Sequence, residues 1–235
     1  MTRNGPHPDS VFTAIEVDNF IKICSNSVEG LQANSTDKRK ILIMQFSLRV
    51  LYNAKASMFL IGNNDNGTVS CLMRSTFEFL CRGLWLNCCA TDHQLNIFLK
   101  KDFLTQQKEV GEEGKTREMK LGNLAKEIDE KLAENGFPVE LHYLFEINKK
   151  DFNSLTHGGL ALLNKTFDGR NVTNSFHRLD VLRQSYFQLL MAAYATTSLL
   201  SAFEKYDEAE HIVEAFNPIN ETLVDLIAPE NQVLA

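Results

Sequence analysis

Apolar residues recur at three- and four-residue intervals through almost the whole chain, while sustained two-residue alternation is nearly absent. That period marks amphipathic helices, whose side chains at i, i+3, i+4 and i+7 share one face. The pattern predicts an all-α fold: a single helical bundle domain over 1–205, then an acidic C-terminal helix and tail over 206–235, with a charged helical arm at about 100–135. A first helix is expected from about Asp9 to Glu29, capped by Asp9 or Ser10, with Val11, Ile15, Val17, Phe20 and Ile23 turned to the core. Ser35, Thr36 and Asp37 offer a cap for a long second helix through about Leu60, which the turn-rich string GNNDNG ends. The third helix spans about 67–90, and Thr91 with Gln94 three residues on forms a capping-box pattern for a fourth reaching about Val110.

Beyond a hinge-like GEEGK at 111–115, Met119, Leu121, Leu124, Ile128 and Leu132 keep an apolar stripe through otherwise charged sequence. Gly136 should end that helix, and Pro138 suits the opening of the next. Two short helices are then expected at about 139–149 and 151–163, a turn at DGRN, and a long helix from about Thr173 to Lys205. Asp207 with Glu210 starts one more, broken at Pro218 and Pro229.

Composition sharpens this picture. With 235 residues and 44% hydrophobic content the chain can bury one sizeable core, and 12 Gly with 5 Pro argue against many short strands. The cysteines at 24, 71, 81, 88 and 89 include no CxxC spacing and read as reduced core thiols. The N-terminal sequence has no basic head followed by an apolar run, so a cytoplasmic protein is expected. The uncharged run from Gln184 to Phe203 approaches membrane-spanning length, but its Gln, Ser and Thr content points to a central bundle helix or a dimer seam. Net charge is −6, and eight acidic side chains against Lys205 alone fall in 204–235, leaving a nearly neutral body without a broad basic field for duplex DNA. The expected partners are a second copy or another protein, with RNA the candidate nucleic acid, and no membrane.

Three stretches carry candidate chemistry. In LMRSTFEFLCRGLWL, Arg74, Glu78 and Arg82 stand four apart with Trp85 on the same strip of an otherwise apolar helix, while Gly83 permits close approach of a neighbour. This is either the one wet strip of a core helix or a polar ligand-binding site inside the bundle. Ser154, Thr156 and His157 precede two glycines, which places the imidazole either at an ordinary C-terminal cap or at a helix end able to bind a ligand. Arg170 and His177 could hold a scissile phosphate and activate a ribose hydroxyl, or could simply be a loop arginine and a helix-start histidine. His142 and Glu146 share a helix face, but two ligands do not define a metal site. Phosphate-loop, dinucleotide, nucleophile-elbow and zinc-protease motifs are missing from the sequence, so no cofactor and no metal are expected.

The RSTFE helix with its nearby Trp, followed by THGG at 156–159, resembles bacterial all-helical proteins related to abortive-infection (AbiV-like) proteins. The Arg-polar-x5-His string from Arg170 to His177 is similar to the motif of the HEPN superfamily. Over about residues 40–205 the resemblance implies a helical bundle, frequent dimers, and a setting in stress or antiphage defence. It implies ligand-binding or regulatory roles for Arg74, Glu78 and His157, and for Arg170 and His177 metal-independent RNA cleavage.

Overall fold

A computed structural model of the protein describes residues 8–102, 104, 118–137, 139–156, 176 and 178–233. Among these there are eight α-helices and no strand: α1 (Pro8–Ser27), α2 (Lys38–Gly62), α3 (Asn66–Cys88), α4 (Asp92–Lys101), α5 (Leu121–Glu134), α6 (Leu141–Thr156), α7 (Arg178–Ala202) and α8 (Tyr206–Val233). The all-α bundle is thus the fold, as the periodicity predicts.

Local chemistry fixes most of the boundaries. Asp37 caps α2 by accepting the Lys40 amide at 3.0 Å, and Asp65 caps α3 through the Thr68 amide at 3.3 Å. Thr91 and Gln94 form the reciprocal capping box of α4, Gln94 Oε1 accepting the Thr91 amide at 2.9 Å. Gly136 takes φ +83° just beyond α5, the left-handed turn that only glycine enters without steric cost.

Four expectations change. Helix α4 stops at Lys101 rather than Val110, because Asp102 turns left-handed at φ 54°. The two short helices expected at 139–149 and 151–163 are one continuous α6 as far as Thr156. Helix α8 runs through Pro218 and Pro229 without a break. An interior proline removes one amide donor, and packing of Ile212 and Leu223 in the core outweighs that loss. In α1 the buried face is Thr13, Val17, Phe20, Ile21 and Cys24, whereas Ile15 and Ile23 are 55% and 46% exposed on the other side. The true stripe includes a cysteine and a threonine, which a reading weighted to aliphatic residues passes over.

Two core regions meet along α7. One joins α1, α2, α7 and α8 around Val17, Phe20, Ile21, Leu51, Leu189 and Leu200. The other joins α3, α4, α5 and α6 around Phe77, Trp85, Leu86, Ile128 and Leu141, and takes Phe187, Met191 and Ala195 from α7. Helix α7 is therefore apolar on nearly every side because it is enclosed on nearly every side. None of the helices among the described residues is long and apolar enough to cross a membrane. The apolar stripe of the charged 100–135 stretch is docked: Leu124, Ala125 and Ile128 are buried where α5 meets α3 and α6, leaving its charged face outward.

Gly83 does what its position suggests. A Cβ there would meet Phe46 Cβ at 3.0 Å, so the missing side chain is what lets α3 lie so close to α2.

Candidate functional site

Helix α3 is held on several sides by α2, α5, α6 and α7, and it buries Thr76, Phe77, Leu80, Cys81, Gly83, Leu84, Trp85 and Leu86. Its polar residues fall on a half-buried strip that faces α5 and α6. Arg74 Nη1 donates to Asn153 Oδ1 of α6. Glu78 takes Arg82 as its partner: Nε and Nη2 of the guanidinium approach the same carboxylate oxygen at 3.0 and 2.8 Å. The Arg82 and Glu78 side chains are 20% and 35% exposed, so the pair is a half-solvated i,i+4 bridge of the kind that contributes about 0.3–0.5 kcal/mol. One turn on, the indole of Trp85, only 1% exposed, donates to Glu127 Oε2 at 2.7 Å.

The strip is thus a seam that ties α3 to its neighbours. Ser154 adjoins Asn153 near the end of α6 and is half-buried. His157, Arg170 and His177 lie outside the described residues, and with them the expected meeting of Arg74, Glu78 and His157 and the Arg170–His177 pair. Sequence reasoning missed Asn153 and Glu127, which lie 79 and 42 residues from their partners; spacing along a chain carries no signal for such pairs.

A second polar junction joins α5 to α6. Asp129 of α5 accepts the backbone amides of Leu141 at 2.9 Å and His142 at 2.8 Å, which caps α6 from a different helix. His142 Nδ1 lies 3.2 Å from the Gly122 carbonyl, so the imidazole is occupied in the same contact. Burial is the main influence on Asp129 and raises its pKa, opposed by the two amides.

A candidate ligand opening lies elsewhere. A cavity of about 480 Å³ lies between α3, α6, α7 and α8. Its walls are mostly apolar, with Met73, Leu144, Phe152, Phe187, Leu190 and Ile227 among them, while Asp151, Asp180 and Arg183 supply charge. Gln184 also lines it: Nε2 donates to the Asn66 carbonyl at 3.1 Å and to Ser70 Oγ at 2.8 Å, while Oε1 is buried with no hydrogen-bond partner among the described residues. Burial, and after it the Glu140 carboxylate, raises the pKa of Tyr186, so the wall presents an intact phenol. A largely apolar cleft of this size with a few fixed polar groups has the form of a small-molecule site. Nothing in the sequence pattern marks it, because its lining comes from four helices and most of those residues read simply as core.

The fold and these sites define an all-α helical bundle with a ligand-sized cleft between its helices. Residues 50–220 match the family described as "Family of unknown function (DUF6988)", and the chain belongs to that family. The match starts within α2 and ends within α8, and it takes in the α3 strip and most of the cavity lining. No curated protein and no solved structure matches the chain.

Proposed function

We propose that this protein is a binding module, an interaction or effector component, which takes an amphipathic small molecule into the cavity between α3, α6, α7 and α8. The apolar body of the ligand would lie against Met73, Leu144, Phe187 and Leu190, and its polar end would meet Asp151, Asp180 and Arg183. The single observation that carries this reading is the cavity itself: about 480 Å³ falls within the roughly 300–1,000 Å³ of typical ligand pockets. The polar groups at the described wall include the carboxylates of Asp151 and Asp180, the Arg183 guanidinium and the Tyr186 phenol, which suit holding the polar end of a ligand. Placement in a bacterial stress or antiphage-defence setting is supported by the RSTFE and Arg170–His177 strings.

Anilinonaphthalene sulfonate, an apolar aromatic with one anionic group, is a suitable probe. The native protein should bind it saturably, and Leu190→Trp, which fills the cavity, should weaken binding at least about tenfold, or ~1.4 kcal/mol, with helicity unchanged. Saturable binding that the filling substitution leaves intact would overturn the reading. In a parallel incubation with RNA in EDTA, cleavage by the native protein that His177→Ala abolishes would replace it with a metal-independent ribonuclease.

A further inference from the structure

Cys88 and Cys89 are neighbours in sequence at the C-terminal end of α3, and their sulfurs face each other at 3.5 Å. Both are half-buried rather than enclosed in the core. Each thiol has its own carbonyl: Cys88 Sγ donates to Leu84 O at 3.0 Å and Cys89 Sγ to Glu127 O at 3.7 Å. The pair therefore has a defined orientation, and the contact with Glu127 places it where α3 meets α5.

The separation is that of two thiols in contact, and it can be compared with two bonded geometries. A disulfide would need the sulfurs about 2.05 Å apart. Two sulfurs bound at about 2.3 Å to one bridging centre, with an angle between a right angle and the tetrahedral value, stand roughly 3.3–3.8 Å apart. The observed 3.5 Å lies in that second range. The backbone agrees. Cys89 keeps right-handed helical angles of φ −113° and ψ −38°, and its amide still bonds to the Trp85 carbonyl at 2.9 Å. A bridging atom fits this arrangement without unwinding the last turn.

We propose that Cys88 and Cys89 form a chelating dithiol site for a soft, thiophilic centre satisfied by two thiolates, namely a monosubstituted trivalent arsenical. Soft thiolates select soft centres. Among the described residues no group of three His, Cys, Asp or Glu side chains is placed to hold a metal ion, so a centre whose third bond is already to carbon suits the site. With R–As(OH)2, two As–O bonds break and two As–S bonds form. The two thiol protons leave with the hydroxyls as two waters, and no atom changes oxidation state.

As a thiolate, Cys88 accepts the Cys89 S–H, turned to it from the Glu127 carbonyl; this contact holds the Cys88 pKa below the usual thiol value, against burial, and the Lys131 ammonium acts in the same direction. Cys89 is pushed up chiefly by the same contact. Cys24 and Cys81 are fully buried, and burial raises both, Cys24 to about 12. Cys71, on α3, lies 17 residues before Cys88 along the chain. The site does not depend on the cavity reading.

The test treats the full-length, reduced chain with phenylarsine oxide. The expected result is one adduct per chain by intact mass, with free thiols falling from five to three. The adduct should survive excess mercaptoethanol and be removed by dithiothreitol. Cys88→Ser or Cys89→Ser should weaken it by about 10²–10⁴-fold, the usual gain from a second tethered contact, and Cys71→Ser should leave it unchanged. On the native protein, without any substitution, the adduct should protect Cys88 and Cys89 from alkylation in peptide mass spectra. Loss of one thiol per adduct, release by monothiol, or protection of other cysteines would each overturn the proposal.

Discussion

Removing the Glu127 carboxylate should cost far more than its half-exposed position suggests, because it is the acceptor for the buried indole of Trp85. In Glu127→Ala the indole N–H, in a side chain 1% exposed, loses its 2.7 Å partner. A buried donor left unpaired costs about 1–3 kcal/mol, and a hydrogen bond to a charged group contributes about 1.5–3 kcal/mol. Partial access of water through the vacated Glu127 position reduces the penalty, so we expect about 2 kcal/mol. Glu127→Gln keeps a neutral acceptor and should lose about half as much. With a urea dependence of about 1–3 kcal/mol per molar, the midpoint for Glu127→Ala should fall by about 1 M. Trp85 is the sole tryptophan, so its emission reports unfolding directly and should also shift in the folded variant. In a Trp85→Phe background the same Glu127→Ala change should cost under about 0.5 kcal/mol, which isolates the pair. Equal losses in both backgrounds would refute the reasoning.

Three further outcomes follow from the packing. Gly83→Ala gains about 1 kcal/mol of helix propensity but drives a methyl to 3.0 Å from Phe46 Cβ, an atom fixed to the α2 backbone. Overpacking of this kind costs about 1–3 kcal/mol, so thermal melts should show net destabilisation, and a raised Tm would contradict the close approach. Gln188 of α7 is fully buried with neither amide atom hydrogen-bonded among the described residues, so Gln188→Met should raise stability by about 1–2 kcal/mol in urea titrations; a loss would show that the amide is paired. Asp129, whose pKa is raised in the folded chain chiefly by burial, binds its proton more tightly folded than unfolded. Its contribution is therefore fully present below the ordinary Asp value of about 3.9 and is lost as pH rises through the raised one. The difference in Tm between native protein and Asp129→Asn should change across that window and stay flat well above it.

Much of the fold can be read along the chain because helix formation is local. The period of apolar residues gives the helices, Asp37 and the Thr91–Gln94 pair mark their starts, and Gly136 and Gly83 announce a turn and a close approach. What escapes is decided by neighbours distant in sequence. Ile15 and Ile23 look like core yet face outward, because the buried stripe of α1 is chosen by what α2, α7 and α8 present to it. Asp102 ends α4 early through a backbone angle that an aspartate does not advertise, and Pro218 sits inside α8 because packing on both sides of it holds the helix. The α3 strip was legible as residues but not as partners. The Glu78–Arg82 bridge is an i,i+4 pair, whereas Arg74–Asn153 and Trp85–Glu127 depend on how α3, α5 and α6 are set side by side. The cavity was not legible at all, since its walls come from four helices whose apolar residues look like any others.

The most direct test of the binding-module reading is a crystal structure of the protein with anilinonaphthalene sulfonate. The naphthalene ring is expected between Met73, Leu144, Phe187 and Leu190 with the sulfonate toward Arg183. A probe found only on the outer surface, with the cavity between α3, α6, α7 and α8 still closed to it, would contradict that claim.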